Sequence, residues 1–163
     1  MTDQPGIAVP PTAIELITAE VRGYGHHRLE TGGFLMLPRD TTTVSIVAFT
    51  GAAGILRRHN LFEISEGALD RLFAFADDHD LQAPVQFHSH ETGAFLSRTD
   101  AEHGLRVEGF TSVVVPTYSA PPCDMGRWGW WCFTAGVWAA TAALPIGHGP
   151  VSAVRFDEDG VHA

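Results

Sequence analysis

Two histidines separated by a single residue are the first chemical feature of this sequence. His88 and His90 lie in the segment QFHSHETGAFLSRTD, residues 86–100. In a β-strand, side chains at positions i and i+2 point to the same face, so the two imidazoles are expected to converge. Imidazole is a good ligand for Zn²⁺, and a carboxylate is an acceptable third ligand. Asp100 is the candidate for that third position, because the loop after His90 is long enough to bring it back to the pair.

The histidine pair alone is weak evidence for a metal site. The chain has nine histidines among its 163 residues, and chance gives an H-x-H pair about 0.5 times at that composition. Ser97 and Asp100 add a second pattern, which is typical of a helix N-terminus with serine as the N-cap and an acid in the first turn. One aspartate can serve both the cap and the metal. The joint pattern is expected by chance at roughly the 0.5% level.

Glu30 is the candidate general base. A catalytic zinc keeps an open position for water and needs a base nearby. Glu30 precedes Thr31-Gly32-Gly33 at the start of a predicted strand, where glycines let another backbone or a substrate approach closely. Alone, a glutamate before two glycines is typical of an exposed loop, so its assignment depends on the metal site.

Three helices are predicted around these residues. Thr12 and Glu15 form a predicted capping box that starts the first helix. Ser65 is the predicted N-cap of a second helix that runs to about His79, and residues 97–106 are predicted as a short third helix. The positions predicted for the buried face of the first helix are Ile14, Ile17, Val21 and Tyr24.

Extended segments alternate with these helices. They are predicted at residues 30–37, 42–50 (antiparallel to the first), 85–90, 111–115, 128–133 and 151–156, with a final turn at 159–160. Residues 51–60 are predicted as a loop. The expected fold class is α/β, a single domain with a mixed β-sheet flanked by helices. Residues 1–11 are predicted as a flexible N-terminal arm and residues 12–163 as the domain.

Composition limits the classes of partner and compartment. The formal net charge of −9 disfavours nucleic acid, which requires a basic face. Two cysteines cannot make a disulfide scaffold, and no signal-peptide pattern opens the sequence, so we expect a reducing, cytoplasmic compartment. Residues 128–154 carry no formal charge, but glycines and prolines interrupt them. They therefore predict buried strands or a buried helix, and no membrane partner.

The candidate residues together resemble the JAMM motif of the JAB/MPN metalloproteases. That motif is a glutamate before a glycine-containing strand, then H-S/T-H, a loop and S-x-x-D; here it is matched by Glu30 with TGGFL, His88-Ser89-His90, Ser97 and Asp100. The resemblance runs from the first helix to the strand near residue 115, about two thirds of the chain. The short chain is similar to the compact prokaryotic branch of the family.

The chain departs from that pattern in two places, neither of which removes a ligand. Glu91 follows the second histidine, where the family usually has proline, and six residues separate His90 from Ser97, where seven are commoner.

The resemblance implies a cytidine-deaminase-like JAB/MPN fold and a zinc hydrolase. Zn²⁺ would be bound by His88, His90 and Asp100, with water in the fourth position. Glu30 would be the general base and then the acid, and Ser97 would donate a hydrogen bond to the oxyanion. Members of the family cut peptide or isopeptide bonds after the C-terminal tail of ubiquitin or a ubiquitin-like protein, which lies extended as an added strand.

Three functions are open at this point. The first is a zinc-dependent peptidase or isopeptidase that acts after the tail of a ubiquitin-like protein. The second is release of cysteine or another amino acid from a sulfur-carrier protein. The third is a non-catalytic MPN-type scaffold, a class that typically lacks the metal ligands. The expected partner is thus a ubiquitin-like or sulfur-carrier tail.

Other residues carry weaker expectations. His103 is a candidate to support the metal ligands, and His26 and His27 are candidates to line a substrate groove. Arg57 and Arg58 are expected as an exposed loop pair. The tryptophans are expected in the core, and a buried, inert thiol is expected at position 132; these residues are Trp128, Trp130, Trp131, Trp138 and Cys132.

Overall fold

The computed structural model describes residues 6–163. Its helices are α1 (Pro11–Gly25), α2 (Glu66–Asp78) and α3 (Arg98–His103). Its strands are β1 (Gly32–Pro38), β2 (Ile46–Thr50), β3 (Ile55–Arg57), β4 (Phe62–Ile64), β5 (Leu81–Ser89), β6 (Thr111–Val115), β7 (Gly129–Thr134), β8 (Val137–Ala140), β9 (Ser152–Asp157) and β10 (Gly160–His162). A turn of 3₁₀ helix, Met125–Arg127, precedes β7.

Eight of these strands form one mixed sheet in the order β10-β9-β2-β1-β5-β6-β7-β8. The central strand β1 runs antiparallel to both β2 and β5, whereas β5 is parallel to β6 and β2 is parallel to β9. β3 and β4 form a separate two-stranded hairpin. The predicted α/β domain with a mixed sheet flanked by helices is confirmed.

The two faces of the sheet carry two apolar clusters, because side chains alternate along a strand. Leu35 of β1 lies in the cluster that contains Ile17 of α1, called the α1 cluster, whereas Phe34 lies in the cluster that contains Leu72 of α2, called the α2 cluster. Each of these side chains is at least 98% buried, and burial of one such side chain stabilises the fold by about 1.5–3 kcal/mol. The helices therefore hold β1 and β5 from both sides.

The flexible arm predicted over residues 1–11 is wrong at its C-terminal end. Ala8 and Val9 form bridges to other parts of the chain, and the Val9 side chain is fully buried against residues of the α1 cluster. Removing that apolar side chain from water favours an ordered segment. Residues 1–5 of the predicted arm lie outside the described residues.

The first helix begins two residues earlier than predicted, and without the capping box. Pro10 is the N-cap and Pro11 is the first helical residue, so Thr12 and Glu15 lie inside the helix and the cap makes no side-chain hydrogen bond. Proline suits this position because its fixed φ is already helical and its missing N–H has no partner to lose. The predicted buried positions Ile14, Ile17 and Val21 are confirmed, and Tyr24 is partly buried.

The remaining helices and the longer strands match the sequence, but four short strands do not. The predicted cap of α2 is confirmed, since Ser65 Oγ accepts a hydrogen bond from the Ala68 amide. Residues 51–60 are predicted as a loop but contain β3, and no strand is predicted at β4, β8 or β10. No helix among residues 6–163 is both long enough and apolar enough to cross a membrane.

Candidate metal centre

His88 and His90 lie where β5 ends. Val85 and Phe87 point into the α1 cluster, so alternation places His88 on the opposite face, toward α2. His90 follows the strand and stays extended, because its amide donates to the carbonyl of Val115 at 2.9 Å. Each histidine is 6% exposed, and their Nε2 atoms are 3.2 Å apart. The predicted convergence of the two imidazoles is present.

Asp100 reaches the histidines from the first turn of α3. Its Oδ2 atom lies 3.0 Å from His88 Nε2 and 2.9 Å from His90 Nε2. The capping box holds it there: the Asp100 amide donates to Ser97 Oγ, and the Ser97 amide donates to Asp100 Oδ2, both at 3.0 Å. The same carboxylate therefore takes part in the cap and in the cluster, as the sequence predicts.

The spacing of these three atoms fits a small tetrahedral cation. Bonds of ~2.0–2.2 Å from Zn²⁺ to nitrogen or oxygen place tetrahedral ligands roughly 3.3–3.5 Å apart. The distances among His88 Nε2, His90 Nε2 and Asp100 Oδ2 are between 2.9 and 3.2 Å. An outward shift of a few tenths of an ångström in each side chain accommodates the ion. The three residues can therefore hold a metal.

The tautomer of His90 supports this conclusion. Its Nδ1 atom lies 3.2 Å from the carbonyl oxygen of Gly93, which can only accept, so Nδ1 carries the proton. In the neutral ring, Nε2 then presents a lone pair to Asp100 Oδ2. Two lone pairs at 2.9 Å repel each other unless positive charge lies between them. A proton or a metal cation between His90 Nε2 and Asp100 Oδ2 removes this repulsion.

The electrostatics of the cluster also favour positive charge. Burial alone would lower the pKa of His90, but the hydrogen bond to Asp100 and the charges of Asp100 and Glu30 raise it above its usual value. Burial alone would raise the pKa of Asp100, but hydrogen bonds from both histidines and from the Ser97 amide hold it well below its usual range. Asp100 therefore stays ionised.

Glu30 lies beside the cluster, two residues before β1, and is 4% exposed. Its amide donates to the carbonyl of Arg58 at 2.9 Å, and the next amide, of Thr31, donates to Ser89 Oγ at 2.9 Å. Burial raises the pKa of Glu30 to about 8; the charge of His90 opposes this shift and the nearby acids add to it. A buried carboxyl with a raised pKa next to candidate metal ligands fits the role of a proton carrier.

Gly32 allows the strand that follows Glu30 to lie close to the site. It pairs with His88 across β1 and β5. A Cβ atom at this position would overlap the Phe87 carbonyl and the Phe62 ring. The first glycine after Glu30-Thr31 is therefore required by the close approach of the two strands and of β4.

A cleft of about 410 Å³ opens beside His88 and Asp100, on the face of the sheet that α2 covers. β4 and the start of α2 form one wall and α3 forms the other, while β5 and β6 form the floor. The residues that line it are Phe62, Glu63, Ile64, Glu66, Leu69, Gln86, His88, Thr99, Asp100, His103, Gly104, Leu105 and Ser112. An extended peptide placed there would reach His88 and Asp100.

The structure assigns different positions to the weaker candidates. His103 is exposed and lines the cleft, whereas His26 and His27 are exposed in the turn after α1. The expectation of an exposed arginine pair is wrong for Arg57, which is partly buried and donates four hydrogen bonds, and right for Arg58.

The expectation of core tryptophans is confirmed for Trp128 and Trp130, which are buried, but Trp131 and Trp138 are only partly buried. Cys132 is also only partly buried, contrary to expectation, because β7 lies near the edge of the sheet.

Two residues at the site have roles that the sequence does not reveal. Ser89 donates through its amide to the Thr31 carbonyl at 2.8 Å and accepts from the Thr31 amide through Oγ, which ties β5 to the Glu30 segment. Arg57 bonds the same threonine from the other side. The position of Ser89 between the histidines was visible in the sequence; nothing in the sequence indicated the contacts of Arg57.

The fold and the cluster define an α/β domain with a candidate metal centre. No family model matches the sequence, and the comparison with curated proteins gives no match either. Among solved structures, a JAB1/MPN domain protein from Archaeoglobus fulgidus is 12% identical with a TM-score of 0.52, over 88% of this chain and 100% of that one.

Two further solved proteins share the fold. One from Desulfitobacterium hafniense is 14% identical with a TM-score of 0.65, over 88% of this chain and 94% of that one. One from Salinibacter ruber is 20% identical with a TM-score of 0.56, over 90% and 95% respectively. At these identities the likeness establishes the fold alone.

Proposed function

We propose that this protein is a zinc-dependent peptidase or isopeptidase that hydrolyses the amide bond after the C-terminal tail of a ubiquitin-like protein. The observation that carries the proposal is the meeting of His88 Nε2, His90 Nε2 and Asp100 Oδ2 within 3.2 Å of one another, beside the buried carboxyl of Glu30. The solved JAB1/MPN domain protein with the same fold supports it.

Each residue of the cluster has a defined task in this proposal. His88, His90 and Asp100 would hold the Zn²⁺. When bound, the ion supplies Lewis acidity that lowers the pKa of water and polarises a carbonyl. The carboxylate of Glu30 takes a proton from the attacking water and passes it to the leaving amine. Its burial places that proton transfer away from bulk solvent.

Ser97 remains available to stabilise the oxyanion. Its Oγ atom accepts the hydrogen bond from the Asp100 amide, and a hydroxyl that accepts one bond still has its own proton to donate. A donor aimed at the charge that develops on the carbonyl oxygen lowers the barrier of the reaction. The capping box fixes the position of this hydroxyl at the start of α3.

The cleft supports a protein tail as substrate. Within the described residues, β4 pairs only with β3, so its other edge has no strand partner, and all three residues of β4 line the cleft. An extended peptide can add to such an edge as a further strand, with backbone hydrogen bonds for affinity and side-chain contacts for selectivity. Phe62 and Ile64 of that strand, with Leu69 of α2, offer the apolar contacts.

The test combines metal analysis with turnover of ubiquitin-like fusions. We expect about one zinc per chain in the wild type. Glu30→Gln should keep the zinc and lose at least about 100-fold in turnover, whereas His88→Ala should lose the zinc itself. Glu102→Gln, the same substitution at an exposed position on α3, is the matched control.

Other outcomes would identify the alternatives. Faster release of an amino acid from a sulfur-carrier protein than cleavage of ubiquitin-like fusions would favour the carrier function. A wild type that holds no zinc, with His88→Ala changing neither the metal content nor turnover, would favour a non-catalytic scaffold. Full turnover by Glu30→Gln would remove Glu30 as the base.

A further inference from the structure

Arg57 is the centre of a hydrogen-bond network that joins the β3–β4 hairpin to the end of β2 and to the segment before β1. Its Nη1 donates to the Gly51 carbonyl at 2.7 Å, and its Nη2 donates to the carbonyl and hydroxyl of Thr50 at 2.9 and 2.8 Å. Its guanidinium lies 4.2 Å from the ring centroid of Tyr24 at the end of α1. The planar guanidinium allows all these contacts at once, which a lysine cannot reproduce.

The fourth hydrogen bond of Arg57 reaches the segment that carries Glu30. Arg57 Nε donates to Thr31 Oγ1 at 3.2 Å. The neighbouring Arg58 carbonyl accepts the Glu30 amide at 2.9 Å. The hairpin therefore holds the two residues Glu30 and Thr31 through one side-chain bond and one backbone bond.

The same hairpin forms a wall of the cleft. β4, which pairs with β3 in the register Arg57 to Phe62, contributes Phe62 and Ile64 to the lining. The strand that would contact a bound peptide and the segment that carries Glu30 are thus joined at Arg57. A peptide placed against β4 is held at a fixed distance from the carboxyl of Glu30 as long as this junction is intact.

We infer that Arg57 is a positioning residue, which acts through Thr31 Oγ1 to keep the Glu30 carboxyl at a fixed distance from the cleft wall formed by β4. The kinetic part of this inference rests on the proposed function. A base displaced by a fraction of an ångström abstracts its proton less well, because catalysis depends on near-attack geometry. Metal binding does not depend on the junction, since Arg57 contacts none of the three ligands.

The sharpest variant is Thr31→Val, which removes one hydrogen-bond acceptor and conserves the shape of the side chain. Arg57 keeps its bonds to Thr50 and Gly51, so the hairpin and the cleft wall stay in place. We expect kcat to fall about tenfold, with KM and the zinc content within about twofold of the wild type. Thr31→Ser, which keeps the hydroxyl, should restore most of kcat. Thr41→Val, the same exchange in an exposed turn, is the control for the substitution.

Arg57→Lys is the second variant, because it keeps the charge and loses the fork of donors. It should lower kcat at least as much as Thr31→Val, and the double variant should be no worse than Arg57→Lys alone, since both remove the same link. Wild-type kcat in both Thr31→Val and Arg57→Lys would overturn the inference. An equal loss in Thr31→Ser would also overturn it, because the hydroxyl would then not matter.

Amide hydrogen exchange of the metal-free protein gives a readout that is independent of activity. Loss of the Arg57–Thr31 bond should raise the exchange rate of the Glu30 amide about tenfold in Thr31→Val, with no change in the amides of β6. If the wild type cleaves no substrate, the proposed function fails while this exchange result still decides the inference. Unchanged exchange at Glu30 in both variants would show that Arg57 does not hold the segment.

Discussion

The pKa values of two carboxyl groups in this site are shifted in opposite directions: that of Asp100 is lowered and that of Glu30 is raised. Their environments explain the difference. Asp100 accepts hydrogen bonds from two histidines and a backbone amide, so it stays ionised. Glu30 is buried, and only the charge of His90 opposes its protonation. Two carboxyls whose pKa values are shifted apart are typical of acid–base sites, in which one stays ionised and the other carries the proton.

The raised pKa of Glu30 predicts how stability depends on pH in the metal-free protein. Its pKa is near 4.5 when unperturbed and about 8 in the fold. Stability linked to this group is therefore fully present below pH 4.5 and is lost as the pH rises through 8. Glu30→Gln has no such loss. We expect it to be more stable than the wild type at pH 8 by on the order of 3 kcal/mol, and nearly equal at pH 5.

Urea unfolding in the presence of a chelator, at pH 5 and at pH 8, measures this difference. Glu102→Gln, at an exposed position on α3, should follow the wild type at both values. A wild type as stable as Glu30→Gln at pH 8 would show that Glu30 is readily ionised in the fold.

At the residue scale, the sequence was sufficient to predict that His88, His90 and Asp100 meet, because its signals are local. The strand period brings His88 and His90 to one face, and the capping pattern orients Asp100. The contacts of Arg57 were not predictable, because they join segments that only the fold brings together. An arginine in a predicted loop carries no sign that its partners lie at the ends of two other strands.

At the scale of elements, α3 is short and depends on its neighbours. Six residues are too few for a stable isolated helix. The capping box fixes its N-terminal end, and the indole of Trp138 on β8 fixes the other by donating to the Ala101 carbonyl at 3.0 Å. An edge strand that the sequence did not predict thus supports the helix that carries Asp100.

Removing this support should weaken metal binding. We expect Trp138→Leu, which loses the ring and the hydrogen bond, to weaken zinc affinity about tenfold, and Trp138→Phe to have a smaller effect. Chelator competition with Zn²⁺ or Co²⁺ measures the affinity. Trp128→Phe is the matched control, because the Trp128 indole also donates to a backbone carbonyl, at 2.8 Å, but belongs to the α1 cluster. Equal affinity in the wild type and Trp138→Leu would contradict this role.

The elements that sequence patterns missed are the short ones. β3 has three residues and β8 has four, too few for alternation to distinguish a strand from a loop. The longer elements α2, β1 and β6 were predicted close to their observed bounds. The error at α1 has another cause: two prolines provide a helix start that competes with the predicted capping box.

At the scale of the whole molecule, the site lies where several parts of the chain meet. β5 and β6 are parallel, and β1 begins beside the C-terminal end of β5. The histidines, the Glu30 segment and the loop to α3 therefore lie together at the same end of these strands. These contacts are distant in sequence, and both apolar clusters hold the strands that bring them together. Metal binding at this end of the strands should therefore stabilise the fold as a whole, since the metal site forms only in the native arrangement.

That linkage gives a prediction with a measurable size. A ligand that binds only the folded state at 100 times its Kd stabilises it by about 2.7 kcal/mol. For a chain of this length, the melting temperature should then rise by roughly 5–10 °C when zinc is added to the chelator-treated protein. Mg²⁺ should give no comparable shift, because it prefers oxygen ligands and two of the three residues here offer nitrogen. His88→Ala should abolish the zinc shift, whereas the exposed His148→Ala should keep it. An equal shift in His88→Ala and the wild type would place the zinc elsewhere on the protein.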